Sequence, residues 1–494
     1  MQYVAAIDQG TTGTRCLLVS HGGAVVGQAY ETHEQQYPKP GWVEHDPTVL
    51  WENTKTVVTD ALADAGLAAT DLVAIGVTNQ RETTVLWDGA TGEPIHDAIV
   101  WQDRRTTERI EQLEPEWIRD RTGLEPDAYF SASKLEWLLD EVEGARERAE
   151  AGELRFGTVD SWLVSKLTGE HVTDVTNASR TMLFDIHDLR WDGDLLAEFD
   201  VPREVLPTVV PSSDPESYGA ASEDGFLGAE IPVAGVLGDQ QAALFGQTCF
   251  EAGSAKNTYG TGSFLLVNTG PEPVESDHGL LTTVAFQRAG EEPRYALEGS
   301  IFTTGAAIEW LEDVSLVENP AEMETLARSV DSTDGVYVVP AFSGLGAPHW
   351  DGRARGTILG LTRGTGREHI ARATLESIGF QTHDVLAAMA ADTGENIDRL
   401  RVDGGAVQND LLCELQATIA DCTIARPAVD ETTALGAAYA AGLAVGYWED
   451  LDALREQHRT ERVFRPDETV DMDGRYARWN EAVDRARDWA REEN

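Results

Sequence analysis

Short apolar runs that end at glycine, threonine or aspartate recur along the chain and predict a series of buried strands. The run at residues 3–7 ends at Asp8, and after the turn residues 10–13 a second run covers residues 16–19. Two such runs around a glycine-containing turn are typical of a β-hairpin. We therefore expect the first residues to form two strands of a sheet.

Strand and helix patterns then alternate. Apolar residues three and four positions apart predict helices, and shorter apolar runs predict strands. In the first half they fall at 48–65 (helix), 72–77 and 85–87 (strands), and 106–113 and 133–143 (helices). In the second half they fall at 255–268 (hairpin), 368–391 (helix), 400–403 (strand), and 409–420 and 432–441 (helices). This alternation indicates an α/β protein.

The second half repeats the opening of the first. A Gly/Thr turn between two apolar runs occupies residues 8–14 and again residues 258–263. One recurrence half a chain away favours two related domains over an array of short repeats. The length of 494 residues also exceeds what one hydrophobic core usually organises. We expect domains at 1–248 and 249–494 with a cleft between them.

Charge is the unusual feature of the composition. The chain has 38 basic and 86 acidic residues, a net charge of -48 at pH 7, and only five of the basic residues are lysines. Repulsion of this size weakens a compact fold in dilute buffer, but at molar salt the Debye length falls to ~3 Å. We hypothesise adaptation to a high-salt cytoplasm. The alternative is an ordinary acidic protein, whose thermal midpoint would not change on desalting.

The composition also bears on partners and location. A negative charge of this size disfavours binding to nucleic acids and anionic membranes. No stretch approaches the ~20 consecutive apolar residues of a membrane span, and Asp8 comes too early for a secretory signal. The cysteines lack the paired spacing of a metal site: Cys16, Cys249, Cys413 and Cys422. We expect a cytoplasmic protein with reduced cysteines.

Candidate chemistry lies at the ends of predicted strands. The turn at residues 8–15 offers a carboxylate, backbone N–H groups, hydroxyls and a guanidinium, which can hold a cation and phosphate oxygens. Alone, it is equally compatible with an ordinary β-turn. Residues 238–246 and 257–264 add a carboxylate before a helix and a second Gly/Thr turn, and residues 403–409 add glycines that would admit a base or ribose. The common GxxxxGK[ST] loop is absent, so these turns would replace it.

These segments resemble the two phosphate loops and the adenosine motif of the actin, Hsp70 and sugar kinase superfamily. Residues 129–137 resemble the first signature of the FGGY carbohydrate kinases, and residues 360–363 with 373–377 resemble the second. The resemblance covers nearly the whole chain. It implies two actin-like (ribonuclease H-like) α/β domains, each a five-stranded mixed sheet flanked by helices, with the active site in the interdomain cleft.

Within this family the chain is similar to the members that phosphorylate glycerol. The resemblance implies that glycerol is converted to sn-glycerol 3-phosphate by ATP with Mg²⁺. Asp239 would be the general base for the attacking hydroxyl, a role that contributes about 10²- to 10⁴-fold. The implied polyol-binding residues are Arg81, Glu82, Trp101, Tyr129, Asp239, Gln240 and Phe264.

The resemblance also implies a nucleotide site, with one departure. The matching ATP- or ADP-binding positions are Thr11, Thr12, Gly13, Arg15, Thr261, Gly305, Glu309, Gly405 and Asn409. Asp8 and Asp239 would hold Mg²⁺, partly through water. At Glu309 the family pattern leads us to expect glutamine. An acid there adds negative charge beside an anionic ligand, which leaves nucleotide preference open.

A second departure concerns regulation. Bacterial members inhibited by fructose 1,6-bisphosphate carry an arginine in a glycine-rich loop just before an Ile-Pro pair. Here residues 225–232 place Glu230 at that position, where an anion meets a carboxylate. We expect no inhibition by this bisphosphate at this loop.

Two rival functions remain open at this point. Another FGGY kinase acting on xylulose, ribulose, gluconate or erythritol would share the nucleotide loops, although Arg81, Glu82, Trp101 and Tyr129 favour glycerol. A non-catalytic actin-like nucleotide switch would need neither a polyol pocket nor Asp239. The expected partners are glycerol and Mg·ATP, without nucleic acid or membrane insertion, in a homo-oligomer that is a dimer or a tetramer.

Overall fold

The computed structural model describes residues 2–490, and its strands follow the alternating pattern. The strands of the first half are β1 (Tyr3–Gln9), β2 (Gly13–Ser20), β3 (Val25–Thr32), β4 (Glu44–His45), β5 (Leu72–Asn79), β6 (Thr84–Asp88), β7 (Ala98–Ile99), β8 (Leu154–Thr158), β9 (Val172–Asp174), β10 (Phe184–Asp185), β11 (Arg190–Trp191), β12 (Thr208–Val210), β13 (Ala220–Ala221) and β14 (Ile231–Gly238). Those of the second half are β15 (Ala255–Tyr259), β16 (Ser263–Gly270), β17 (Leu281–Phe286), β18 (Arg294–Ile301), β19 (Tyr337–Val339), β20 (Thr357–Leu359), β21 (Arg399–Asp403), β22 (Thr423–Pro427) and β23 (Thr460–Phe464).

The helices predicted at six positions are present within a few residues of those positions, as α1, α2, α4, α12, α13 and α14, although α2 is only one turn long; apart from α9, expected at residues 238–246, the other helices of the described residues were not predicted. The helices of the first half are α1 (Pro47–Ala65), α2 (Thr107–Ile110), α3 (Pro115–Thr122), α4 (Ser131–Glu141), α5 (Ala145–Glu150), α6 (Val159–Thr168), α7 (Val175–Ala178), α8 (Gly193–Glu198) and α9 (Asp239–Gly246). Those of the second half are α10 (Gly305–Asp313), α11 (Glu322–Arg328), α12 (Arg367–Thr393), α13 (Asp410–Ala420), α14 (Thr432–Ala444), α15 (Leu451–Gln457) and α16 (Asp473–Ala486).

A six-stranded mixed sheet organises the first half, in the order β13-β14-β5-β1-β2-β3. β1 and β2 are antiparallel with Ile7 opposite Cys16, which confirms the predicted hairpin. β5 runs parallel to β1, and β14 runs parallel to β5. The carboxyl ends of these three parallel strands therefore meet at one edge of the sheet, where α/β proteins usually bind ligands.

A seven-stranded sheet organises the second half, in the order β17-β18-β16-β15-β21-β22-β23. Its central strands β18-β16-β15-β21-β22 repeat the order and directions of β3-β2-β1-β5-β14 in the first sheet. The predicted five-stranded mixed sheet is thus confirmed as the core that both halves share. Edge strands extend that core: β13 in the first sheet, β17 and β23 in the second.

The first sheet is covered on both faces, which explains why its strands read as continuous apolar runs. Ala5 and Ile7 pack in one cluster with side chains of α1 and α6. Val4 and Ala6 point to the opposite face and pack with α9 and α14. Parallel strands buried on both sides are apolar throughout instead of alternating with polar residues.

Helix α14 belongs to the second half of the chain but packs on the first sheet. A Cβ added to Gly76 of β5 would overlap the carbonyl oxygen of Ala437, and one added to Gly436 would overlap that of Ala242 in α9. Only glycine allows backbones to approach this closely. The helix is therefore held between β5 and α9 at main-chain contact.

Two further expectations concern cysteines and membranes. All the cysteines are buried and free of disulfides. Within residues 2–490, no helix has the length and apolar character that a membrane span requires.

Candidate active site

The turn between β5 and β6 carries the first of the predicted polyol residues. Arg81 and Glu82 are 2% and 1% exposed. Glu82 has φ of 62°, a left-handed conformation that is uncommon outside glycine and tends to occur at functional sites. Its carbonyl accepts a hydrogen bond of 2.9 Å from the Ser131 hydroxyl, which fixes the turn against α4.

Arg81 contacts charged groups from both halves of the chain. Its Nη1 and Nη2 donate to the two carboxylate oxygens of Glu298 at 2.6 and 2.9 Å, and Nη1 also donates to Gln241 Oε1 at 3.2 Å. Its Nε lies 3.2 Å from Asp239 Oδ1 and 3.8 Å from Glu82 Oε1. The structure thus brings Arg81, Glu82 and Asp239 into direct contact. Glu298 was not predicted.

Arg180 is the second residue that sequence reasoning missed. Its Nε donates to Glu82 Oε1 at 2.7 Å and its Nη2 to Glu298 Oε1 at 3.1 Å. Burial opposes ionisation of Glu298, but Arg180 and Arg81 outweigh it and lower its pKa to about 2. Burial raises the pKa of Glu82 against the same two arginines. A lone acid inside the apolar run of β18 was the available signal, because a buried charge needs a partner.

Aromatic rings surround these charges. Tyr129 and Trp101 meet edge to face with ring centroids 5.5 Å apart. The Phe264 ring centroid lies 5.8 Å from the guanidinium carbon of Arg81. The indole Nε1 of Trp101 donates to the Thr11 hydroxyl at 3.0 Å. Trp101 therefore connects the polyol residues to the first Gly/Thr turn.

Two of the five lysines hold site residues in place from inside the protein. Lys134 Nζ donates to the carbonyls of residues 128–130 at 2.5, 2.7 and 3.1 Å, which fixes the main chain of Tyr129. Lys256 Nζ donates to Gln240 Oε1 at 2.5 Å. Burial lowers the pKa of Lys134 to about 7 and that of Lys256 to about 8. Because Gln240 Oε1 is occupied, its NH₂ group is the one left to face a ligand.

Asp239 is the first residue of α9, directly after β14. Its Oδ1 accepts a hydrogen bond of 2.7 Å from the backbone N–H of Gln240, and its side chain is 28% exposed. Burial raises the pKa of Asp239, while Arg81 and Lys256 oppose that rise. The carboxylate is oriented yet accessible, as a general base has to be.

The first Gly/Thr turn follows β1. Gly10 N–H donates to the Gly13 carbonyl at 2.9 Å, which closes the turn, and a Cβ on Gly13 would come within 2.7 Å of the Glu31 carbonyl oxygen, so the turn packs closely against β3. Thr12 is exposed. Arg15, predicted to contact phosphate, forms an ion pair with Glu431, the residue before α14. Arg15 is thus already paired with Glu431, an acid of the second half.

Asp8 lies where negative charge accumulates. Burial raises its pKa to about 7, with further contributions from Asp239 and Glu431 and opposition from Arg15. A divalent cation between Asp8 and Asp239 would relieve this repulsion. Within residues 2–490, no group of three or more His, Cys, Asp or Glu side chains is arranged to hold a metal. Two carboxylates are enough for Mg²⁺ that arrives with phosphates and waters, because such an ion needs only one or two protein carboxylates.

The second Gly/Thr turn packs on the start of α10. Gly260 N–H donates to the Gly262 carbonyl at 2.8 Å, and Gly305 N–H donates to the Gly260 carbonyl at 3.0 Å. Thr261 and Gly305 are therefore neighbours, as the nucleotide prediction requires. Glu309 is exposed one helical turn further along α10.

The glycine-rich segment after β21 adjoins this second turn. Gly404 has φ of 92°, and a Cβ on it would overlap the carbonyl oxygen of Tyr259 at the end of β15. Gly405 is exposed. The Asn409 side chain accepts a hydrogen bond of 3.0 Å from Leu412 N–H and caps α13. Asn409 therefore has a structural task in addition to the predicted contact with nucleotide.

The predicted residues thus form two neighbouring groups. One is a compact set of donors, acceptors and rings around Arg81 and Asp239. The other consists of glycine turns whose main chain is close to solvent. A small polyol beside a base, next to turns suited to phosphates, is the chemistry that this arrangement supports.

Comparison with known proteins points to one family. The N-terminal domain of the FGGY family of carbohydrate kinases matches residues 3–246, and the C-terminal domain of that family matches residues 255–445. The chain is 67% identical over 505 residues to the glycerol kinase of Haloferax volcanii and 64% identical over 506 residues to that of Halobacterium salinarum, covering 99% of each chain in both cases. The crystal structure of Plasmodium falciparum glycerol kinase with ADP is 36% identical, with a TM-score of 0.92 over 98% of both chains. This protein belongs to the FGGY family of carbohydrate kinases.

Proposed function

We propose that this protein catalyses the ATP-dependent phosphorylation of glycerol to sn-glycerol 3-phosphate. The observation that carries the proposal is the contact of Arg81 Nε with both Asp239 and Glu82, at 3.2 and 3.8 Å. A donor, an acceptor and a base this close together suit a three-carbon polyol better than a longer sugar. The identity of 67% to the Haloferax volcanii glycerol kinase over the full chain supports the same substrate.

Glycerol binding divides between polar and apolar contacts. Arg81 donates to hydroxyl oxygens and Glu82 accepts from hydroxyl groups, both as charge-assisted hydrogen bonds. Neutral hydrogen bonds come from two further side chains, and two rings cover the carbon chain: Tyr129 and Gln240, then Trp101 and Phe264. The rings exclude water from the reacting end, which strengthens the polar contacts there.

The chemical step requires a base and alignment. Asp239 accepts the proton of the terminal hydroxyl while that oxygen attacks the γ-phosphorus of ATP in line. The bond from the γ-phosphorus to its bridging oxygen breaks, and ADP leaves with the bonding electrons. The transition state of such transfers is loose, so positioning and charge neutralisation provide most of the acceleration. Asp8 and Asp239 would hold Mg²⁺, partly through water, and the bound ion would neutralise charge at the phosphate oxygens.

The glycine turns bind the nucleotide in this proposal. Backbone N–H groups and hydroxyls donate to phosphate oxygens, and Arg15 exchanges Glu431 for phosphate. The adenosine end lies against the segment after β21, with Glu309 close by. The contacting residues are Thr11, Thr12, Gly13, Arg15, Thr261, Gly305, Glu309, Gly405 and Asn409.

Two further predictions concern the domain boundary and the oligomeric state. We place the domain boundary near residue 249, so that Asp239 belongs to the first domain and the second Gly/Thr turn to the second. We also predict a homo-oligomer, either a dimer or a tetramer, which light scattering at molar salt would resolve.

The decisive experiment measures ADP release at molar KCl with Mg·ATP and a panel of glycerol, dihydroxyacetone, xylulose, gluconate and erythritol. Glycerol should give the highest kcat/KM. The Asp239→Asn variant should lose about 10²- to 10⁴-fold in kcat, because the base is gone while the shape is kept. A higher kcat/KM for another polyol would identify that polyol, instead of glycerol, as the substrate. ADP release that no polyol stimulates would favour a nucleotide switch.

Regulation is tested in the same assay. Millimolar fructose 1,6-bisphosphate should leave the rate unchanged, because Glu230 repels an anion from the loop at residues 225–232. Inhibition that Glu230→Ala abolishes would show that this loop binds the bisphosphate after all.

A further inference from the structure

Glu298 lies on β18 in the second half of the chain, whereas Arg81, Glu82 and Arg180 belong to the first. We propose that Glu298 is a positioning residue for the polyol: it orients Arg81 directly and Glu82 through Arg180. The inference rests on the proposed glycerol site and extends it to residues that would not touch the substrate. It also means that the site is complete only when β18 is docked against the first half.

The orientation of Arg81 follows from which of its nitrogens are occupied. Both terminal nitrogens donate to Glu298, at 2.6 and 2.9 Å. A planar guanidinium held at both ends of its fork cannot rotate. The Nε edge makes no contact with Glu298, and Nε lies 3.2 Å from Asp239 Oδ1. Without Glu298, the fork could turn and bind both oxygens of Asp239, which would block the base.

Arg180 depends on the same carboxylate. Its Nη1 is buried without a hydrogen-bond partner among the described residues, so only Glu82 and Glu298 hold its other nitrogens. Its guanidinium carbon lies 5.7 and 5.3 Å from the ring centroids of Tyr129 and Phe130. The position of Glu298 therefore determines that of Arg180, and Arg180 in turn orients Glu82 and Tyr129, both of which are proposed to bind glycerol.

Charge balance leads to the same result. The side chains of Arg81, Glu82, Arg180 and Glu298 are all at most 2% exposed. Removing the charge of Glu298 leaves two buried cations facing Glu82 and Asp239. Buried arginines that lose one carboxylate partner interact more strongly with the carboxylates that remain. Glu82 and Asp239 would then be less free to accept hydrogen bonds from a polyol.

The test compares Glu298→Gln with a matched control, Glu376→Gln. Glu376 on α12 is 1% exposed and also bridges two arginines, accepting from Arg372 at 3.2 Å and from Arg475. Glu298→Gln should raise the glycerol KM about tenfold or more while the ATP KM stays within about twofold. Glu376→Gln should change neither KM. A wild-type glycerol KM in Glu298→Gln, or an equal rise in Glu376→Gln, overturns the proposal.

A double substitution separates positioning from general packing. Arg81→Lys should raise the glycerol KM on its own, and adding Glu298→Gln should raise it little further, because both act through one interaction. If the glycerol KM of the double variant rose by the product of the two separate factors, the proposal would be contradicted.

Folding failure of Glu298→Gln does not leave the matter open, because Glu298→Asp keeps the charge and shortens the reach by one methylene. It should fold, and it too should raise the glycerol KM; a wild-type KM refutes the proposal. Absence of glycerol-dependent ADP release in the wild type would instead refute the proposed function itself.

Discussion

The two ends of the candidate site use different parts of their residues, side chains at one end and main chain at the other. At the polyol end, side-chain charges are buried and already paired, with Arg81, Glu82 and Glu298 at most 2% exposed. At the nucleotide end, glycine turns at residues 10–13 and 260–262 present main chain, and Thr12 and Glu309 are exposed. One end is organised before a ligand arrives, and the other is open.

The difference reflects what each ligand brings. Glycerol is small and uncharged, so the protein must supply every fixed charge that orients it. A nucleotide brings its own charge and a metal ion, and backbone N–H groups suffice to receive its phosphates. Substitutions at the first end should therefore change the glycerol KM, and substitutions at the second should change the ATP KM.

The largest difference between the change in glycerol KM and the change in ATP KM is expected from Glu82→Gln. The amide keeps the shape but loses the charged acceptor, at a cost of about 1–3 kcal/mol, so the glycerol KM should rise about 10- to 100-fold. The ATP KM should remain within about twofold. Initial rates with each substrate varied in turn measure both. Glu44→Gln is the control, because Glu44 is a buried partner of Arg105, at 2.7 Å, outside the proposed polyol site. Equal changes in both KM values would erase the distinction between the two ends.

Gly305→Ala tests the other end. An added Cβ would come within 2.6 Å of the Gly260 carbonyl oxygen and displace the second Gly/Thr turn. Because small displacements at phosphates are costly, the ATP KM should rise about tenfold with little change for glycerol. In Gly474→Ala the new Cβ meets nothing within 4 Å, so this variant should behave like the wild type. A glycerol-specific effect of Gly305→Ala would argue against the division.

The last prediction concerns stability instead of either KM, at Asp8, where the two ends meet. Its pKa in the folded protein is about 7 against an ordinary value of 3.8. Ionisation of Asp8 therefore costs stability as pH rises from about 4 to about 7, and the full cost applies above that. Without nucleotide, Asp8→Asn should stabilise the protein by up to about 4 kcal/mol at pH 8 and by much less near pH 4. Urea unfolding at both pH values measures this, and equal differences at the two pH values would contradict the raised pKa.

Much of the fold was accessible from the sequence, for a physical reason. Strands buried on both faces, such as β1 and β5, read as unbroken apolar runs, and the turns after them are marked by glycine. The repeat of the opening hairpin in β15 and β16 correctly indicated two related halves. The edge strand β13 was missed because a strand of two residues has no apolar period to detect.

Candidate site residues could be named from the sequence only where they lie in short motifs that resemble those of the family. Arg81 and Glu82 are adjacent, and Asp239 stands at a strand end beside glycine; their roles were implied by the resemblance of these motifs to those of the family. Glu298 and Arg180 pair with residues far away in the chain, and no local pattern encodes such a contact. The ion pair of Arg15 with Glu431 could not be predicted from the sequence for the same reason.

Helix α14 limits how the two halves can move. Its backbone touches β5 at Gly76 and α9 at Gly436, so no layer of side chains is available to let the surfaces slip. Packed interiors transmit displacement instead of absorbing it. Because β5 and α9 both belong to the first half, α14 is fixed to that half, and any change in the angle between the halves would have to be absorbed by the segments that join this helix to the rest of the second half.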